Sequence, residues 1–155
     1  MGLMKAELYD ELARQTRGLL DGERDLIANA ANFAALIWQI VPDLNWAGFY
    51  FLKGGELVLG PFQGKPACVR IAVGKGVCGT AVARRETMLV ADVHAFQGHI
   101  SCDAASNSEL VVPLIKGGVV RGVLDIDSPL LARFDSADRT GFEAVVQLFV
   151  TGTDF

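Results

Sequence analysis

The stretch "ELVVPLIKGGVVRGVLDID", residues 109–127, decides the fold, because it predicts two paired strands that share one apolar face. That face is formed by Leu110, Val112, Leu114, Val120, Gly122, Leu124 and Ile126. A two-residue turn at residues 117–118 would pair Leu110 with Asp125 and mix charge into the core. A three-residue turn over residues 116–118 shifts the pairing by one residue, so we expect that turn, with the core beneath this face.

The opposite face of the same hairpin carries acidic side chains. In the expected register Glu109 faces Asp125, and Asp127 follows two residues later on the same side. Mutual repulsion among three carboxylates would raise at least one pKa and keep a proton available near neutral pH. From spacing alone, a solvated sheet face with Asp127 capping the following turn is the alternative.

The remaining segments predict helices around an antiparallel meander. Helical spacing of apolar residues covers residues 4–19 and 24–40. Residues 74–86 predict a glycine-rich turn that leads into a short helix, and a last helix runs from a cap at Ser136 to about residue 150. Strands are predicted within 44–52, 57–60, 68–73 and 87–93. We expect one domain, residues 1–155, with an α+β fold and helices on one face of the sheet.

One strand and one loop carry candidate ligand-binding residues. Trp46 and Tyr50 share one face of their strand, and their amphipathic rings suit a pocket wall, whereas Phe49 and Phe51 point to the core. Residues 92–108 show no periodicity, and a loop of this length inside a compact domain is usually functional.

Composition excludes several classes of protein. The net charge is −4 and the basic residues are scattered, so the concentrated positive field of a nucleic-acid groove is missing. The N-terminal segment does not match a secretory signal. The longest apolar tract, residues 26–41, is short for a bilayer span and is interrupted by Asn and Gln. We expect a soluble, cytoplasmic protein without a membrane segment.

The three cysteines are candidates for reactive thiols, because structural disulfides are rare in a reducing cytosol. Cys102 lies in the long loop and is the least suited to burial. Cys78 follows Lys75 at the start of a short helix, where the helix dipole and the lysine would favour thiolate. Cys68 precedes a strand and best fits a buried apolar thiol.

Other thiol chemistries are less well supported. No two cysteines are closer than ten positions, which argues against a structural zinc knuckle and predicts no metal. His94 and His99 are interpreted as loop residues rather than partners in a Cys–His protease dyad. An aromatic wall beside carboxylates and a thiol would bind a small, partly apolar molecule that carries an amine.

Four segments together resemble the free methionine-R-sulfoxide reductases, which are single-domain GAF proteins. They are "LNWAGFYFL", "GPFQGKPACVRIAVGKGVCGTA", "DVHAFQGHISCDAASNSELVVPL" and "GVLDIDSP", and the resemblance extends over residues 4–150. It implies a GAF-like central antiparallel sheet with helices on one face and a ligand pocket on the other. It also implies reduction of free L-methionine (R)-S-oxide without a bound cofactor, with reducing equivalents from thioredoxin, and it leaves a homodimer open.

The resemblance also implies roles for individual residues. Cys102 matches the thiolate that attacks the sulfoxide sulfur, and Cys68 matches the residue that resolves the sulfenic acid as a disulfide. Cys78 matches a third cysteine, which remains an alternative nucleophile. Glu109, Asp125 and Asp127 match an acidic cluster that binds the substrate and protonates the departing oxygen, and Trp46 and Tyr50 match the wall around the methyl group.

A non-catalytic GAF module is the alternative from a different class. It would bind a small ligand such as a cyclic nucleotide, or respond to redox state through the same thiols without turnover. Sensor modules normally accompany output domains, and we expect none here; the three-cysteine set also favours an enzyme.

Overall fold

The computed structural model describes residues 4–100 and 102–155. The described residues contain four α-helices and six strands, together with a short 3-10 turn at Val93–Ala95. The helices are α1 Lys5–Leu20, α2 Leu26–Ile40, α3 Gly76–Arg84 and α4 Ser136–Thr151. The strands are β1 Trp46–Lys53, β2 Glu56–Gly64, β3 Arg70–Ala72, β4 Met88–Val90, β5 Ser108–Lys116 and β6 Val119–Ser128. They form one antiparallel sheet in the order β3-β2-β1-β6-β5-β4.

Side-chain caps define the starts of two helices. The Asp25 carboxylate accepts a hydrogen bond from the backbone N–H of Ala28 at the start of α2. At the start of α4 the cap is Asp135 rather than the predicted Ser136, which is the first helical residue. Asp135 and Asp138 form a reciprocal capping box, a stronger arrangement than a single hydroxyl provides.

The main core lies between the sheet and helices α1, α2 and α4. Phe149 of α4 stacks on Phe49 of β1 with ring centroids 4.9 Å apart, and on Phe33 of α2 at 5.5 Å. Phe51 points to the same side. The predicted alternation of β1 is therefore confirmed, with phenylalanines toward these helices and Trp46 and Tyr50 away from them.

The fourth helix lies on the opposite side of the sheet. Val77, Ala81 and Val82 of α3 belong to a second, smaller core that includes Tyr50. The helix approaches its neighbours closely: a Cβ added to Gly79 would lie 2.4 Å from the carbonyl oxygen of Ala72. The prediction of helices on one face is thus right for three helices, whereas α3 helps to cover the other face.

The β5–β6 hairpin has the predicted faces but not the predicted register. The turn is the two-residue Gly117–Gly118 turn, with Lys116 opposite Val119 and positive φ angles of 59° and 77° at the glycines. These angles suit the primed turns whose twist matches that of paired strands. Instead of a longer turn, an irregularity at Arg121 moves Leu114 opposite Gly122.

As a result, Glu109 lies opposite Asp127, and Asp125 lies opposite Val111. The expected pairing of Glu109 with Asp125 is wrong by two residues. A shift of two preserves the faces, so the acidic side chains still share one side of the sheet, as predicted. Within the described part of the chain, every helix is too short or too polar to span a bilayer.

Candidate active site

A cavity lies on the sheet face that points away from α1, α2 and α4. Its volume is about 40 Å³, and it is partly open to solvent; at about 10–15 Å³ per water molecule it has room for about three or four. Seven of the eight predicted site residues line it: Trp46, Tyr50, Cys78, Cys102, Glu109, Asp125 and Asp127. The eighth, Cys68, is bonded to Cys102 through a disulfide. His99, Lys75 and Ile100 also line the cavity; the interpretation of His99 as a plain loop residue missed its place there.

The aromatic wall is fixed by stacking and by two hydrogen bonds. The Trp46 ring stacks on Tyr50 at 5.8 Å and on Phe62 at 5.1 Å between centroids. The Trp46 indole N–H donates to the Lys65 carbonyl at 3.1 Å, and the Tyr50 hydroxyl donates to the Cys68 carbonyl at 2.9 Å. These polar groups therefore hold the segment that carries Cys68, while the two rings line the cavity as an apolar surface.

The acidic cluster is buried, with Glu109, Asp125 and Asp127 each at most 8 % exposed. Burial raises the pKa of all three carboxyls, most strongly for Glu109 and Asp127. Repulsion from Asp125 is the next contribution for Glu109 and Asp127. Repulsion between the carboxylates was expected to raise the pKa, but desolvation is the larger cause. The cluster can therefore hold a proton near neutral pH.

One oxygen in this cluster lacks a hydrogen-bond partner. Asp125 Oδ1 is buried and unpaired among the described residues. An unpaired buried acceptor costs about 1–3 kcal/mol and more when it is charged. Asp125 lines the cavity, so a donor or cation bound there would satisfy this oxygen.

The cysteines differ from the arrangement that their neighbours suggested. Cys68 and Cys102 are half-buried and joined, whereas Cys78 is buried and free. Cys78 is the third residue of α3, but burial and then the nearby carboxylates of Asp125, Glu109 and Asp127 raise its pKa. The expected thiolate at Cys78 is wrong, because desolvation and negative neighbours outweigh the helix dipole and Lys75. Cys68, expected to be the buried thiol, is the disulfide partner.

The loop that follows Cys102 is anchored by Asn45, a residue that the sequence analysis missed. Asn45 Nδ2 donates to Asp103 Oδ2 and to Ser106 Oγ, both at 3.0 Å. Its backbone N–H donates to the Asp127 carbonyl at 3.0 Å. Asn45 thus connects the acidic strand to the segment that begins with Cys102. These partners are 58 and 61 residues away along the chain, so no local pattern indicates the contact.

Comparisons with known proteins identify the family of this chain. Residues 28–151 match the GAF domain family. The free methionine-R-sulfoxide reductase of Escherichia coli is 54 % identical over 142 residues, which is 92 % of this chain and 86 % of the relative.

Two solved structures superpose closely. A protein from Burkholderia vietnamiensis, assigned provisionally as a GAF sensor, has a TM-score of 0.95 and 62 % identity over 97 % of this chain and 96 % of its own. The free methionine-R-sulfoxide reductase from Neisseria meningitidis, solved in complex with its substrate, has a TM-score of 0.94 and 42 % identity over 98 % and 92 % of the two chains. With this fold, cavity and overall identity, the chain belongs to the free methionine-R-sulfoxide reductase family of GAF-domain proteins.

Proposed function

We propose that the protein reduces free L-methionine (R)-S-oxide to L-methionine and is regenerated by thioredoxin. The observation that carries this proposal is the position of Cys102. It lines a cavity of buried carboxyl groups and aromatic rings, and it is bonded to a second cysteine, Cys68. The family and the substrate-bound relative support the same substrate for this chain.

The cavity offers complementary groups to both ends of the substrate. Asp125 and Asp127 bind the ammonium group, which supplies the partner that Asp125 Oδ1 lacks. The S-methyl group lies against Trp46 and Tyr50, where the stacked rings provide an apolar wall. A methionine sulfoxide inside a polypeptide has no free ammonium group next to its side chain for these carboxylates to bind, so the free amino acid is preferred.

The chemistry combines a nucleophile with an acid. The Cys102 thiolate attacks the sulfoxide sulfur while Glu109 donates a proton to the oxygen, because an unprotonated oxide is a poor leaving group. The oxygen transfers to Cys102 as a sulfenic acid and methionine leaves. The Cys68 thiol then attacks the Cys102 sulfur, releases water and forms the disulfide.

Thioredoxin completes the cycle by thiol–disulfide exchange. The balance is one methionine sulfoxide and one thioredoxin dithiol converted to methionine, thioredoxin disulfide and water. Cys78 is a weaker nucleophile in this scheme, because the causes that raise its pKa keep it as a thiol.

A coupled assay tests the proposal. Thioredoxin, thioredoxin reductase and NADPH are mixed with the enzyme and with either epimer of free methionine sulfoxide or of its N-acetyl derivative. We expect NADPH consumption with the free R epimer and at least a tenfold lower rate with the others. Absence of turnover with every substrate would leave the non-catalytic sensor classes.

A further inference from the structure

Three residues that line the cavity could also bind a metal ion. The Cys78 sulfur and one carboxylate oxygen each from Glu109 and Asp125 all lie within 4.8 Å of one another. The three side chains are buried and come from three separate elements, α3, β5 and β6. The fold therefore brings together one soft donor and two hard donors without a local sequence motif.

The unpaired oxygen of Asp125 also calls for a positively charged partner when no substrate ammonium is bound. Asp125 Oδ1 has no hydrogen-bond partner among the described residues, and the residue is only 6 % exposed. A buried carboxylate oxygen without a partner is costly, and a cation in the cavity that Asp125 lines would compensate for the lost hydration.

We propose that Cys78, Glu109 and Asp125 bind one Zn²⁺ ion or a similar thiophilic divalent cation. Zinc binds thiolate at about 2.3 Å and carboxylate oxygen at about 2.0–2.2 Å, so tetrahedral ligands lie about 3.6 Å apart. Because the three ligand atoms lie within 4.8 Å of one another, each separation needs to shorten by about 1.2 Å at most, which small rotations of the three side chains can provide. The fourth position opens to the cavity and takes water.

The donor set distinguishes this cation from the hard ones. Mg²⁺ and Ca²⁺ require six or more oxygen ligands, whereas a thiolate with two carboxylates suits zinc. The missing CxxC spacing, which argues against a structural zinc knuckle, does not bear on a site assembled from three elements. The ion here has an open coordination position and lies where a small molecule binds.

The ion has a consequence for turnover that rests on the proposed function. It occupies Asp125, which binds the ammonium group, and Glu109, which donates the proton. Zn²⁺ therefore inhibits turnover in competition with methionine sulfoxide. At a Zn²⁺ concentration well above its dissociation constant, the apparent KM for methionine sulfoxide rises at least tenfold. Binding of the ion itself does not depend on this function.

Cobalt spectroscopy of the disulfide form tests the site directly. With Cys68 and Cys102 joined, Cys78 is the free thiol, so any thiolate-to-Co²⁺ charge-transfer band in the near ultraviolet must come from it. We expect one equivalent of Co²⁺ to produce this band and Zn²⁺ to abolish it. A wild-type titration without the band overturns the proposal, whatever the variants do.

Two ligand variants and one control test the assignment. Cys78→Ala should lose the band, and Asp125→Asn should bind Co²⁺ at least tenfold more weakly, with far-ultraviolet circular dichroism to check the fold. His94→Gln is the matched control, since His94 is exposed and outside the cavity lining, and should keep the band. Binding at His94 and His99 instead gives a spectrum without the thiolate band. Either that spectrum or a band that survives Cys78→Ala contradicts the assignment, and loss of turnover alone affects only the proposed function.

Discussion

Replacing Glu109 by glutamine should stabilise the protein, and increasingly so as the pH rises. The variant keeps the shape of the side chain but removes one charge from the buried cluster. Glu109 and Asp125 oxygens lie within 4.8 Å of each other. At an effective dielectric constant of about 20, two unit charges at that distance repel by roughly 3.5 kcal/mol.

The sign follows from proton binding. Burial and then Asp125 raise the pKa of Glu109 in the folded protein above its unfolded value. The folded state therefore binds more protons than the unfolded state, and wild-type stability falls as the pH rises above about 4.5. Glutamine cannot ionise, so this loss is smaller in the variant.

Thermal unfolding at pH 4.5 and pH 8.5 measures the effect. We expect similar melting temperatures at pH 4.5 and a gain for Glu109→Gln at pH 8.5 of about 2–3 kcal/mol, roughly 4–12 °C for a chain of this size. Glu86→Gln is the control, because Glu86 is exposed, and should change the melting temperature little at either pH. If the difference in melting temperature between Glu109→Gln and wild type is the same at both pH values, or favours wild type at pH 8.5, the pKa of Glu109 is not raised by folding.

The same Glu109→Gln variant should turn over methionine sulfoxide more than tenfold more slowly, equivalent to over about 1.4 kcal/mol of barrier, because the departing oxygen loses its acid. Steady-state kinetics check this, and unchanged rates remove Glu109 as the acid. Asn45→Ala should lower kcat/KM about tenfold by releasing the loop after Cys102, while Asn45→Asp, which keeps an acceptor but loses the Nδ2 donor, should not restore it; full activity of Asn45→Ala contradicts a positioning role. Asp138→Ala should destabilise the fold by about 3–5 kcal/mol in urea unfolding, because this fully buried carboxylate pairs with the Arg133 side chain, which is 9 % exposed, and accepts a hydrogen bond from the buried Tyr9 hydroxyl, and both would lose their partner. A loss below about 1 kcal/mol would show that the pair contributes no more than a surface ion pair.

The alternation of apolar and polar residues predicted which side of each strand faces the core. It placed Phe49 toward the helices, and Trp46 and Glu109 toward the cavity, because side chains of a strand alternate strictly between faces. The predicted register of the hairpin was wrong. An extra residue at Arg121 and a three-residue turn give the same pattern of faces, so the pattern could not distinguish them. Faces, in this case, constrain the register only to within an even number of residues.

The properties of the site that the sequence did not reveal depend on long-range packing. Cys78 has the neighbours of a helix start, but its burial follows from the close approach of Gly79 to Ala72 and from carboxylates on β5 and β6. The contact of Asn45 with the loop that carries Cys102 likewise joins segments far apart in the chain. Only the three-dimensional arrangement places these groups beside the cavity.

Single-turnover analysis of the cysteine variants tests most directly whether Cys102 is the thiol that attacks the sulfoxide. Each fully reduced variant is mixed with excess methionine (R)-S-oxide without thioredoxin, quenched in acid, and assayed for methionine per enzyme. We expect one equivalent of methionine from Cys68→Ser and none from Cys102→Ser. One equivalent of methionine from Cys102→Ser would contradict this expectation and make Cys78 the attacking thiol.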